Sequence, residues 1–181
     1  MSLADVPFRR FAGNMIVVHT VTYFLAGMLA YSAMDYESRF LEPPLSHLMR
    51  PTSDPWVMLG PVLQPIRGLI FALALFPFRT VFLNRRNGWL LLWWLLVALG
   101  IVSTFGPAPG SVEGLIYTKL PVVEQLVGLW EVVLQSFLFS LLFHYWCNHP
   151  DHRWLGKVLW LFFIFVMIIP ILGLMAGRLS V

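Results

Sequence analysis

Three ionisable side chains, Arg67, Glu124 and Glu131, stand in or at the edge of long apolar runs. A charge deep in hydrocarbon costs about 2.5–3.5 kcal/mol on insertion scales, so each marks a binding or catalytic position by default. The series Glu124, Gly128, Glu131, Gln135 advances by four, three and four residues, which puts all four on one helix face. Counted at about 1.5 Å per residue from the aromatic pair Tyr145 and Trp146, Glu131 stands about 21 Å above the inner interface. Glu124 follows Pro121 in a first helical turn, where the helix dipole favours an anion.

Arg67 belongs to the run Gly60-Pro61-Val62-Leu63-Gln64-Pro65-Ile66-Arg67-Gly68. With Arg79 as the inner marker it lies about 18 Å up, level with Glu131. A buried guanidinium needs a counter-ion. The expectation is therefore an Arg67–Glu131 pair in the outer half of the membrane, with Gln135 and Gln64 as further hydrogen-bonding groups. If Arg85 and Arg86 mark the boundary instead, Arg67 rises towards Glu124. Pro61 and Pro65 each remove a backbone donor, so a kinked or broken helix is expected beside Arg67. A ligand pocket and a plain helix clamp are both compatible with this pattern.

Two outer loops complete the set. The stretch 106–121 is proline-rich at its ends and amphipathic over Val112–Leu120, which suits a short interfacial piece with Glu113, Tyr117 and Lys119 around a pocket mouth. The loop Asp35–Pro55 carries a second such piece near Leu41–Met49. Solvated loop side chains are the plainer reading. His19 and His144 lie at comparable depth towards the inner side, where a bis-imidazole haem pair is conceivable. No second feature supports it, and both are read as packing residues. His149 and His152 read as an inner turn. Cys147 is the single cysteine, without a disulfide or CxxC partner. Neither a cofactor nor a metal is expected. The chain has no His-Glu-x-x-His, no Gly-x-Ser-x-Gly and no phosphate-cradling glycine loop.

The elements that must position these residues follow from composition. Of 181 residues 59% are apolar and 12% charged, and the mean hydropathy is +0.77, against about 45–50% and 25% in soluble domains. A chain this short cannot hide that much apolar surface in an aqueous core. The expected fold is a single all-α membrane domain, 1–181, with five transmembrane helices near Phe11–Met34, Trp56–Phe78, Trp89–Phe105, Val122–Trp146 and Leu155–Gly177. The first is too long for a signal-peptide core and lacks an Ala-x-Ala site, so it reads as retained.

With the N-terminus inside, Arg9, Arg10, Arg79, Arg85, Arg86, Arg153 and Lys157 face the cytoplasm with Asp5 and Asp151. The other side holds Arg39, Arg50, Lys119 and Arg178 with Asp35, Glu37, Glu42, Asp54 and Glu113. Seven bases against two acids, and four against five, fit an N-in, C-out topology. The third and fifth spans are almost free of polar side chains and read as walls. Gly68/Ala72 and Gly173/Gly177 are spaced for close helix approach. Phe137–Phe143 and Leu69–Phe76 are expected to seal the inner half.

The bases are scattered in ones and twos, which argues against nucleic acid as a partner. The leading expectation is a binding or transport protein whose outer-half cavity takes a small solute or lipid headgroup. An enzyme acting on a lipid-linked substrate, with Glu131 or Glu124 as general base, is the second reading. The third is a non-catalytic subunit that pairs with a second copy or another membrane protein.

Overall fold

Backbone amides in hydrocarbon have no water to bond, so apolar runs of this length must satisfy themselves as helix. The structure, a computed structural model, describes residues 6–179, with side chains from 6 to 175. Asp5 and the side chains of Gly177 and Arg178 lie outside the described residues. The chain runs α1 (Phe8–Met34), α2 (Tyr36–Arg39), α3 (Pro55–Met58), α4 (Gly60–Leu75) and α5 (Arg79–Leu83). It continues through α6 (Gly88–Val97), α7 (Val112–Tyr117), α8 (Val122–Val127), α9 (Leu129–Asn148) and α10 (Arg153–Leu179).

Among the described residues four stretches are long and apolar enough to cross a membrane: Phe8–Met34, Gly60–Leu83, Val122–Asn148 and Arg153–Met175. The chain is thus an all-helical, multi-pass protein by length and composition. The expected third span is a shorter apolar helix, in which the ten residues of α6 continue as five π-helical residues, Ala98–Val102. It stops where Ser103 leaves helical geometry, just ahead of Gly106 and Pro107.

Helix α1 is the centre of the bundle and packs on α4, α9 and α10. Its buried face combines Phe11 and Met15 with the small or β-branched Val17, Val18, Val21, Ala26 and Ala30. It runs antiparallel to α4, with His19 on Gln64, Tyr23 by Gly60 and Ile16 by Gly68. Gly68 fulfils the small-residue expectation, since a Cβ there would sit 2.8 Å from the Cα of Ile16. Gly68→Leu therefore forces the two backbones apart. We expect a loss of about 3 kcal/mol, at the upper end of overpacking costs, read as a lowered Tm in detergent.

At one end of the bundle Phe11 packs edge-on to Phe76 and Phe143, His144 bonds the Arg85 carbonyl and Trp146 lies by Gly156. The basic residues Arg9, Arg10, Arg85, Arg86 and Arg153 flank these positions in sequence. The other end carries the loops and most of the acids. Phe11, Phe139 and Phe143 are fully buried.

The proline expectation needs correction. α4 is continuous through Pro65, and Pro61 sits in its first turn, where a missing N–H costs nothing. The regular α-helix gives way about two turns after Gly68, at the 3-10 segment Phe76–Phe78 around Pro77. Phe76 and Phe82, on either side of Pro77, both contact Phe11.

Candidate functional site

Depth in this bundle is fixed by the helix pairings. Glu131 faces Gly27 of α1, with its carboxylate 3.8 Å from where a Gly27 Cβ would be, whereas Gly68, next to Arg67, faces Ile16. Eleven residues of α1 separate the two levels, about 16 Å. Arg67 and Glu131 are therefore not opposite one another, and among the described residues no ion pair joins them. The expected level pairing rests on two separate interface markers, Arg79 and Tyr145/Trp146, and the packing of each helix on α1 does not put those markers on one scale.

Each carboxylate on the α8–α9 face instead meets α2. α1 ends at Asp35, whose φ of 47° is left-handed, a conformation that Asp tolerates better than most residues. This turn lays α2 over the bundle end. Tyr36 donates its hydroxyl to Glu131 at 2.6 Å, and Arg39 pairs with Glu124. Burial, then the neighbouring Glu131, holds the Tyr36 phenol well above its ordinary pKa, so it remains a donor. The polar face predicted on one helix is real but divided: Glu124 and Glu131 fasten α2, and Gln135 looks elsewhere. We expect Glu131→Gln, which keeps an acceptor for Tyr36, to leave ligand binding in the crevice described next within about twofold. Its effect belongs in the hydrogen exchange of residues 35–40.

Gln135 lines a crevice of about 290 Å³ between α4 and the π-helical end of α6, floored by α1 and α9. Its polar groups are Arg67, His19, Gln135, Ser136 and Thr104, and its aromatic walls are Phe71 and Phe139. The lining contains no Asp or Glu. The Arg67 guanidinium lies 5.6 Å from the centre of the Phe71 ring, a cation–π contact that holds the side chain without neutralising it. Ser136 and Thr104 hydroxyls donate to the Val133 and Gly106 carbonyls, leaving their lone pairs as acceptors. The crevice spans the middle of the bundle rather than its outer half alone.

His19 is the packing residue expected: it is 2% exposed and packed edge-on against Phe71 and Phe139. Gln64 gives its amide N–H to the Gly60 carbonyl and its oxygen to His19 Nε2, 3.1 Å away. That network assigns the proton to Nε2. His144 bonds a backbone carbonyl at the basic end, so the two imidazoles serve separate contacts. No group of three or more metal-ligating side chains occurs among the described residues.

The loop 106–121 closes the crevice at one end, through Ala108 and Pro109 rather than through Glu113 or Tyr117. Glu113 is half-buried in α7, and Tyr117 is 72% exposed; neither reaches the crevice. Ser111 caps α7 by accepting from the Gly114 amide, and Gly110 takes the positive φ of 83° that the turn requires. Gln125, 2% exposed, pins the loop: its oxygen accepts from Gly110 N–H, and its nitrogen donates to Thr118 Oγ1 and the Leu120 carbonyl. Nothing in the sequence distinguished Gln125 from a solvated side chain near an interface. Gln125→Leu strands these partners. We expect loosening by about 2–3 kcal/mol, at about 1 kcal/mol per lost bond, visible as faster amide exchange over 106–121.

Comparison with protein-family models, curated proteins and solved structures finds no match to this chain.

Proposed function

We propose that the chain is a membrane binding or transport protein whose intramembrane crevice accepts the anionic group of a small solute or a lipid at Arg67. The observation that carries this reading is a guanidinium lining a crevice without any carboxylate. A cation at this depth is costly, and an incoming anion supplies the compensation the chain omits. The fork of N–H donors matches a carboxylate or phosphate in two-point contact, with Gln135 as a neighbouring donor. A π-helical segment at the wall, Gly100 and Ile101, adds support, since such segments recur at functional sites. An enzyme built on Glu131 or Glu124 loses ground, because both bind α2 and neither lines the crevice.

We place the N-terminus in the cytoplasm and count five crossings. The chain leaves α5 at the end where His144 meets Arg85 and enters α8 at the end where Glu124 meets Arg39, so α6 and the loop after it must traverse the bundle between them. Native mass spectrometry of protein released from its own membrane tests the function. An acidic adduct lost in Arg67→Gln supports it, and identical adduct-free spectra of both proteins contradict it.

A further inference from the structure

We infer that the anion is the acidic head of a chain-bearing lipid, a carboxylate or a phosphate, which enters sideways from the bilayer between α4 and the π-helical end of α6; this rests on the reading of Arg67 as an anion site. Several observations converge on it. On the side of the loop 106–121 the crevice is bounded by Ala108 and Pro109, and Gln125 ties that loop down. The lateral side is not bounded in this way: α1 packs on both α4 and α9, and α6 packs on α9, but α4 and α6 have no comparable contact with one another. At that side the wall is Gly100, where an added Cβ would meet nothing within 4 Å.

The lining is the second half of the argument. Beyond its single cation the crevice is walled by Phe71, Leu96, Ile101, Val132 and Phe139, surfaces that a hydrated ion would leave unsatisfied and an alkyl chain covers. Its 290 Å³ has room for a head and the start of a chain, and it is too small to enclose a lipid with two full acyl chains. The rest of a chain must lie outside, and the outward faces of α4 and α6 there, Ile70 and Leu73 on one and Leu95 and Leu99 on the other, are exposed and aliphatic. An acid head at Arg67 with its chain in this gap satisfies the charge and the apolar wall together.

The test uses the full chain in nanodiscs of zwitterionic lipid. A fatty acid and a phosphatidic acid, each with a diazirine in the chain, are photolysed and mapped by peptide mass spectrometry, and thermal stability is measured with each lipid and with millimolar acetate or inorganic phosphate. Labelling of residues 96–101 and Phe71 by at least one lipid is expected, with a gain in Tm that acetate and phosphate do not reproduce. Labelling should fall about tenfold or more in Arg67→Gln and in Gly100→Trp, the latter filling the gap while eluting and melting as a folded protein. Arg67-dependent stabilisation by acetate or phosphate without crevice labelling overturns the lipid and leaves the anion site standing. Equal labelling of wild type and Arg67→Gln overturns the placement of the head, and no Arg67-dependent response to any probe overturns both.

Discussion

Arg67→Gln lowers affinity for the acidic ligand by about 30-fold or more while the protein remains folded. Removing one partner of a desolvated, hydrogen-bonded charge pair costs about 2–5 kcal/mol, and the lower figure is already 30-fold. The fold survives because among the described residues the guanidinium has no ion-pair partner to strand; its contact is the Phe71 face. Arg67→Lys keeps the charge but loses the two-point fork and should fall between wild type and Gln. Titration of reconstituted protein checks the order. A structural clamp would give the opposite pattern, with Tm falling and affinity for anions absent throughout.

Gly88→Val has the largest expected effect on folding. A Cβ at Gly88 would lie 1.5 Å from the Phe82 carbonyl oxygen and 2.5 Å from its carbon, and these are backbone atoms that no rotamer change removes. The turn from α5 into α6 closes only with glycine here, and it fixes how α6 meets α9, where Trp93 donates to the Val133 carbonyl and both Trp89 and Trp93 pack on Phe137. The loss should exceed about 4 kcal/mol, the range reserved for severe backbone or core disruption. Folded protein should be nearly absent by size-exclusion profile, whereas Gly13→Ala, with nothing within 4 Å of the added atom, serves as the silent control.

Much of this fold was legible because membrane helices advertise themselves: four spans, the clustering of bases at one end and the Gly68 approach all follow from local composition. The crevice was half legible. Arg67 and Gln135 stood out as polar residues inside apolar runs, and both line it. Their supposed partner, Glu131, does not line it, because depth was counted on each helix from its own interface marker, and how α4 and α9 register against α1 is a tertiary fact with no local signature. Tyr36, Arg39 and Gln125 act across the chain, on partners 95, 85 and 15 residues away, separations that no spacing rule reaches. The π-helical wall at Ala98–Val102 is likewise invisible in a run that reads as plain apolar helix.

The most direct measurement is a density map of the protein purified with its native lipids and held in a nanodisc. The account predicts an acidic group within about 2.7–2.9 Å of the Arg67 guanidinium, its chain leaving between α4 and α6, and Glu131 still bonded to Tyr36. A crevice empty of any anion, with the Arg67 side chain turned to a carboxylate of this chain or of a second copy, would contradict it.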